Sequence, residues 1–134
     1  MKEINSIFII DDDSITVFGI KKLLGSLDIC EAIETYGNGK LAIDAIRDRI
    51  AKNEKLPDII FLDINMPIMD GWQFLEEFIA QPITKKIRVN IITSSIDKLD
   101  LEKSEIYKSK THHVVEYISK PIRKREIGEI TKAA

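Results

Sequence analysis

An uninterrupted apolar run near the middle of the chain limits the possible folds more than any other feature. Residues 59–62 read Ile-Ile-Phe-Leu, without the alternation of apolar and polar residues that a half-exposed strand shows. Strands that are apolar at every position are typical of parallel sheets, in which helices cover both faces. The run therefore predicts a central strand of an α/β fold.

Shorter runs rich in β-forming residues alternate with segments of helical periodicity along the rest of the chain. Four further strands are predicted, at residues 7–10, Cys30–Tyr36, 89–93 and Val114–Ser119. The first helical stripe, Val17, Ile20 and Leu24, has the spacing of one helix face, and later helices are predicted at residues 43–50, 74–79, Lys98–Lys110 and 122–132. Five β/α units in a row predict one doubly wound α/β domain, a five-stranded parallel sheet with helices on both faces.

Composition excludes several classes of partner. The chain has 134 residues, which suits a single domain, and its 22 acidic and 20 basic side chains argue against a nucleic-acid-binding protein. Its apolar stretches are too short to span a bilayer, so no membrane partner is expected. Cys30 is the one cysteine and is interpreted as a small apolar strand residue. A lone cysteine agrees with a reducing cytoplasm.

Acidic, hydroxyl and amine side chains follow the predicted strands at the edge of the sheet where ligands bind in such folds. These residues are Asp11, Asp12 and Asp13 after the first strand, Asp63 and Asn65 after the third, Thr93 after the fourth, and Lys120 after the fifth. Clustered carboxylates repel one another unless a cation neutralises them, and Mg²⁺ prefers carboxylate and carbonyl oxygens. A lysine beside a hydroxyl suits a phosphoryl group. The pattern predicts a Mg²⁺-assisted phosphoryl site in which an aspartate could be the nucleophile.

Four motifs together resemble the receiver domain of response regulators in two-component signalling. They are IIDDD, FLDINMP followed by MDG, IITSS and YISKP, and each occurs on its expected strand. The resemblance covers essentially the whole chain and implies a flavodoxin-like (βα)5 fold. The pattern departs from the family in two stretches that run a few residues longer than usual, at residues 47–57 and 104–113.

The resemblance implies a role for each matching residue. Asp63 would accept the phosphoryl group, Asp12 would ligate Mg²⁺ directly, and Asp11 would act mostly through a bound water. The backbone carbonyl of Asn65 would be a further metal ligand. The remaining roles fall to Thr93 as a hydrogen-bond donor to the phosphoryl group, Lys120 as its ion-pair partner, Pro121 after a cis bond, and Tyr117 as an aromatic switch residue.

The implied function is that of a stand-alone signalling domain of the bacterial type, not an enzyme. It would receive phosphate from a sensor histidine kinase or a histidine phosphotransfer protein. Because the chain stops about a dozen residues after Pro121, residues 1–134 are expected to form a single receiver domain without an output domain. The signal would then pass to an unknown downstream protein through a changed surface of the fourth helix, fifth strand and fifth helix.

Alternative functions fit the sequence less well. A phosphatase of the haloacid-dehalogenase type would need an aspartate as general acid two residues after Asp63, and Asn65 occupies that position. A nucleotide-binding enzyme would need a glycine-rich phosphate loop, and neither common pattern occurs. A receiver-like module that is never phosphorylated usually lacks site residues, whereas this chain keeps them.

Several other residues are interpreted as structural. Asp13 is expected to cap the first helix, and Met66-Pro67 with Asp70-Gly71 to shape the loop that starts the third. His112 and His113 are expected in a solvated loop. Trp72 is expected to pack or to contact a partner, and the charged segment Lys98–Lys110 to expose a solvated helix face.

Overall fold

The computed structural model describes residues 4–94 and 97–133. Strands and helices alternate in the order β1 (Ile4–Ile10), α1 (Ser14–Leu27), β2 (Cys30–Tyr36), α2 (Gly39–Ala51), β3 (Ile59–Asp63), α3 (Gly71–Ile79), β4 (Arg88–Thr93), α4 (Lys98–Lys110), β5 (Val114–Ser119) and α5 (Lys124–Ala133). All five strands are parallel and lie in the order β2-β1-β3-β4-β5. The predicted doubly wound α/β fold is confirmed.

Two apolar layers sandwich the sheet. Ile60 and Leu62 of β3 point into a layer shared with α2, α3 and α4, whereas Ile59 and Phe61 point into a layer shared with α1 and α5. All five residues of β3 are buried, as the apolar run predicts. No described helix combines the length and the apolar character needed to cross a membrane.

The predicted bounds of β2, α4 and β5 are correct, and the starts of other elements differ by up to four residues, with the largest difference at α2, which begins at Gly39 instead of residue 43. β1 starts at Ile4, three residues earlier than predicted, because Ile4 pairs with Cys30 of β2. The last helix starts at Lys124 instead of residue 122, because the backbone N–H of Arg123 donates to the Glu126 carboxylate at 2.9 Å. That contact is typical of the residue that precedes a helix.

Helix starts follow the predicted capping chemistry. The Asp13 carboxylate accepts hydrogen bonds from the Ile15 N–H at 3.0 Å and from the Thr16 hydroxyl at 2.8 Å. Hydrogen bonding to Thr16 and then to Ile15 lowers the pKa of Asp13. Asp70 caps α3 in a reciprocal arrangement with Gln73. The structural roles predicted for Asp13 and Asp70 are confirmed.

The prediction for His113 is wrong. Its side chain is 5% exposed, its Nδ1 accepts a hydrogen bond from the Ile87 N–H at 2.9 Å, and its ring lies 4.9 Å from that of Phe78. Burial, and then the neighbouring His112, lower the pKa of His113 to about 4, so it is neutral at physiological pH. His113 is drawn inward because the next residue, Val114, donates its N–H to Ile87 as β5 begins. His112 is exposed, as predicted.

Trp72 packs against another aromatic residue, as expected. Its ring stacks on Tyr107 of α4 with 5.7 Å between centroids, and its Nε1 donates to Asp100 at 3.2 Å. Cys30 is half-buried and packs against the layer under α1, which agrees with its interpretation as an apolar residue.

Asn90 is an exception within the apolar interior. It lies in the middle of β4 with 0% of its surface exposed, and neither its Oδ1 nor its Nδ2 has a hydrogen-bond partner among the described residues. A buried polar group without a partner costs about 1–3 kcal/mol. Asn90 is therefore an amide in the central sheet for which the described residues supply no hydrogen-bond partner.

Candidate acidic phosphoryl site

The predicted site residues meet at the carboxyl ends of the strands. Asp11 directly follows β1, Asp63 and Thr93 are the last residues of β3 and β4, and Lys120 directly follows β5. Backbone hydrogen bonds fix two of these positions, because the Asp11 N–H donates to Tyr36 at 3.0 Å and the Lys120 N–H donates to Thr93 at 2.7 Å. The site is therefore built on strand ends and not on flexible loops.

Three carboxylates form a compact group at this edge. Asp11, Asp12 and Asp63 each offer one oxygen, and the three oxygens lie within 4.8 Å of one another. Asp11 and Asp63 are buried, whereas Asp12 is exposed. Hard oxygen donors at this spacing, with one side open to solvent, fit Mg²⁺, which keeps several waters. The predicted carboxylate set is brought together, and the carbonyl of Asn65 as a further ligand stays a prediction.

The third aspartate of the run takes no part in this group. The Asp13 backbone N–H donates to Asp11 Oδ1 at 2.9 Å, while the Asp13 side chain caps α1. This hydrogen bond holds one oxygen of Asp11 in place. The helix cap directs the Asp13 carboxylate away from the other three carboxylates. Asp11 and Asp12 thus belong to the carboxylate group, whereas Asp13 starts the helix.

Lys120 bridges the two buried carboxylates. Its Nζ lies 3.0 Å from Asp11 Oδ2 and 3.6 Å from Asp63 Oδ1, and 15% of its side chain is exposed. Burial on its own would lower the pKa of Lys120, but the hydrogen bond and charge of Asp11, followed by the charge of Asp63, outweigh burial and raise it. Lys120 therefore remains a cation at neutral pH.

Asp63 lies in an environment that disfavours its charge. Burial and then the charge of Asp11 raise the pKa of Asp63 to about 6, although Lys120 and a hydrogen bond from the Asn65 backbone oppose the shift. One ammonium thus does not fully neutralise the buried carboxylates. A second cation beside Asp63 would remove the remaining repulsion.

Comparison with known proteins shows the family. Residues 7–132 match the response regulator receiver domain family. This chain belongs to that family. Its residues are 32% identical over 124 positions to the two-component response regulator ORR26 of rice, Oryza sativa, a match that covers 92% of this chain and 19% of the relative. The receiver domain thus spans about a fifth of that relative's length.

Solved structures support the same assignment. A two-component response regulator from Cytophaga hutchinsonii is 30% identical, has a TM-score of 0.84, and is matched over 98% of this chain and 97% of that one. The phosphorylated cyanobacterial phytochrome response regulator RcpA is 28% identical, with a TM-score of 0.75 and coverage of 96% and 89%. The flavodoxin-like arrangement predicted for this receiver domain is confirmed.

Thr93 and Tyr117 are neighbours at the β4–β5 side of the receiver domain. Thr93 is 1% exposed, and Tyr117 packs at the border of the layer under α2, α3 and α4. Burial and then the charge of Asp100 raise the pKa of Tyr117, while the nearby Thr93 hydroxyl acts in the opposite direction. The two predicted switch residues are therefore close enough to influence each other.

Two glycines of the receiver domain allow close backbone contacts that the sequence interpretation missed. A Cβ atom on Gly71 would lie 2.3 Å from the Asp63 carbonyl oxygen, and one on Gly39 would lie 2.9 Å from Met69. Gly39 also donates its N–H to the Met69 carbonyl at 3.0 Å. The loop after Asp63 is therefore packed tightly against the start of α2. The Asp-Gly pair signalled a helix start, but nothing in the sequence signalled this contact.

An apolar groove beside the acidic group was also missed. Its volume is about 750 Å³, and it lies between α1 and the segment after β5, with Asp13 and Lys120 among its lining residues. Ile15, which lines it, is 81% exposed, and the nearby Phe18 of α1 is 68% exposed. Ile15 and Phe18 lie outside the stripe of Val17, Ile20 and Leu24. That stripe predicted only the buried face of α1, so nothing in the sequence indicated the groove.

Proposed function

We propose that Asp63 of this receiver domain accepts a phosphoryl group from a histidine kinase or a histidine phosphotransfer protein in a Mg²⁺-dependent reaction. The observation that carries the proposal is a buried carboxylate at a strand end, grouped with Asp11 and Asp12 and 3.6 Å from Lys120. The relative RcpA, described as phosphorylated, supports the same chemistry.

The reaction requires a nucleophile, charge neutralisation and a donor for the phosphoryl oxygens. An Asp63 oxygen forms a bond to phosphorus as the bond from phosphorus to the donor's imidazole nitrogen breaks, which leaves an acyl phosphate and a neutral histidine after proton uptake. Lys120 pairs with the transferred oxygens and the Thr93 hydroxyl donates to them. The groups that would hold Mg²⁺ are the carboxylates of Asp11, Asp12 and Asp63 and the backbone carbonyl of Asn65. The ion would supply charge stabilisation at the transferred oxygens.

The apolar groove supports a protein as the phosphoryl donor. Ile15 and Phe18 expose apolar surface on α1, and Lys120 is one of the residues that line the groove. A donor helix that buries this surface would place its histidine beside Asp63. We propose that this exchange takes place in the cytoplasm and that the domain signals without an enzymatic activity directed at other molecules.

Phosphorylation by a small-molecule donor tests the proposal directly. Purified protein incubated with acetyl phosphate and Mg²⁺ is expected to gain one phosphoryl group, measured by intact-mass spectrometry. Beryllofluoride with Mg²⁺ should form an equivalent adduct. Omission of Mg²⁺ with added chelator is the control and should suppress uptake. Uptake that is equally fast without any divalent cation would contradict the proposed site.

We further propose that the signal leaves through the surface of α4, β5 and α5. Phosphoryl oxygens on Asp63 would draw the Thr93 hydroxyl toward them, and the space this vacates beside Tyr117 would let its ring turn inward. A partner that prefers the inward ring by about 1.4 kcal/mol would bind tenfold more tightly after phosphorylation. Such a partner is a separate downstream protein in this proposal.

NMR spectra with and without beryllofluoride and Mg²⁺ test this route. The largest chemical-shift changes outside the acidic group are expected at Thr93, Tyr117 and the start of α4. The same changes should be much smaller in Thr93→Val, which keeps the shape of the side chain but lacks its hydroxyl. Changes concentrated in α2, with Thr93 and Tyr117 unaffected, would show that the output surface lies elsewhere.

A further inference from the structure

A cleft lies between α5 and the strands β4 and β5, on the face of the sheet that α1 and α5 cover. Helix α5 packs against α1, and an open space of about 280 Å³ remains between α5 and the two strands. Its polar lining comes from both sides of the cleft: Arg88, Asn90 and Glu116 on the strands, and Glu126 and Glu129 on the helix. This cleft takes no part in the proposed phosphoryl chemistry.

The innermost polar group of the cleft is the orphaned amide of Asn90. It is fully buried, and both amide atoms lack a hydrogen-bond partner in the part of the chain that the structure describes. Because buried polar groups in folded proteins nearly always have partners, this amide points to a ligand that supplies them. An apolar residue at this position would give a more stable sheet.

The charge around the cleft favours a cation. Glu116, Glu126 and Glu129 line the cleft, and Arg88 is the one cation among the lining residues that the structure describes. Arg125 lies 3.9 Å from Glu129 on the same helix, but both side chains are largely exposed, so this pair neutralises little of the charge. The carboxylate oxygens do not form a compact group, since among the described residues only Asp11, Asp12 and Asp63 meet within 4.8 Å. This spread disfavours a metal ion, which needs converging ligands, and favours an extended organic cation.

We propose that the cleft binds the guanidinium group of an arginine side chain presented by a partner protein. A guanidinium is planar and carries five N–H donors, so it can donate to the Asn90 Oδ1 and to the glutamates at the same time. Ile118 and Ile130 line the cleft as well and offer apolar surface to the aliphatic stem of an arginine.

Asn90 is fully buried, so binding requires a neighbouring side chain to move, and in this proposal that side chain is Arg88. Arg88 precedes Asn90 by two residues and therefore lies on the same face of β4. Its guanidinium is 3.7 Å from the Glu116 carboxylate, which is 45% exposed, so this ion pair is weak and Arg88 can turn toward solvent. Glu116 is the cross-strand neighbour of Asn90. Once released, it can accept a hydrogen bond from Asn90 Nδ2, and both amide atoms then have partners.

Titration with blocked single amino acids tests the proposal. Acetyl-arginine methylamide is added to isotopically labelled protein, and NMR is used to follow the Asn90 side-chain NH₂ and the backbone amides of Glu116 and Glu129. Saturable shifts at all three positions in the millimolar range are expected. Acetyl-lysine methylamide, which has the same charge but no planar fork, is the matched probe and should bind at least fivefold more weakly.

Two variants test the contribution of the Asn90 amide separately from that of the glutamate charges. Asn90→Val is expected to raise the melting temperature and to abolish the saturable shifts, whereas Glu116→Gln should keep the fold and weaken binding at least threefold. If Asn90→Val does not fold, Glu116→Gln and the lysine probe still decide the question. Unchanged affinity in the folded variants would overturn the proposal. Equal binding of the two probes would also overturn it. So would an Asn90 NH₂ resonance that does not shift when acetyl-arginine methylamide is added.

Discussion

Asp63→Asn is expected to abolish phosphoryl uptake from acetyl phosphate and Mg²⁺. The substitution keeps the size of the side chain and removes the carboxylate that we propose as the nucleophile from the strand end. Intact-mass spectrometry should show the added phosphoryl group on the unmodified sequence and none on the variant. Asp44→Asn is a suitable control, because Asp44 is half-exposed on α2 and should leave uptake unchanged. Equal labelling of Asp63→Asn would show that another residue is the acceptor.

The same variant is expected to be more stable than the unmodified protein when no metal is present. Burial and the Asp11 charge raise the pKa of Asp63 from 3.8 to about 6 in the folded state. As the pH rises, the Asp63 carboxyl therefore loses its proton at a lower pH in the unfolded chain than in the folded protein. Folding stability decreases as the pH rises from about 4 to about 6. The neutral amide introduced by Asp63→Asn avoids this loss, so at pH 7 the variant should gain about 2–3 kcal/mol.

Urea unfolding in the presence of chelator measures this gain. The difference in the free energy of unfolding between Asp63→Asn and the unmodified protein should be largest at pH 7 and should shrink toward zero at pH 4. It should also shrink at saturating Mg²⁺, because the metal stabilises only the charged carboxylate. A difference that does not change with pH would show that the charge of Asp63 is not the cause.

The second large effect is expected from a comparison of Asp12→Ala with Asp13→Ala. Asp12 belongs to the three-carboxylate group, whereas Asp13 caps α1. Asp12→Ala should weaken Mg²⁺ binding by about tenfold or more, which corresponds to about 1.4 kcal/mol, because one carboxylate ligand is lost. Asp13→Ala should change Mg²⁺ affinity only a few-fold and lower the melting temperature modestly through the lost cap.

Isothermal titration calorimetry with Mg²⁺ at pH 7 gives both affinities, and thermal unfolding in chelator gives the stability effects. Asp12→Ala is expected to raise metal-free stability slightly, because repulsion is relieved at an exposed position. Equal losses of Mg²⁺ affinity in the two variants would contradict the division of roles between these adjacent aspartates.

Much of the fold followed from local patterns. The apolar run of β3 and the stripe of Val17, Ile20 and Leu24 depend on burial that is periodic along the sequence, so a single sequence shows them. The acidic site was also predictable, because parallel strands bring their carboxyl ends to one edge and the residues after each strand can be read directly. That Asp13 faces away followed from capping chemistry.

Other features depend on neighbours that are distant in sequence. His113 was expected in solvent, yet its ring packs on Phe78 and bonds to Ile87, contacts that exist only after β4 and β5 pair. Gly39 lies close to Met69, which is distant in sequence, so no local pattern predicts this contact. The orphaned amide of Asn90 likewise looks like an ordinary polar residue until its strand is placed in the sheet.

The acidic site also brings together residues from three strands of the sheet. Asp11, Asp63 and Lys120 come from β1, β3 and β5, and β5 lies at one edge of the sheet. A ligand that binds all three strand ends in the folded state cannot bind them in the unfolded chain. Ligand at a hundred times its dissociation constant therefore adds about 2.7 kcal/mol to the free energy of unfolding. Openings of the β5 edge that release the ligand should become rarer to the same degree. Slower hydrogen exchange of the β5 amides would therefore report the occupancy of a site that lies beyond the strand itself.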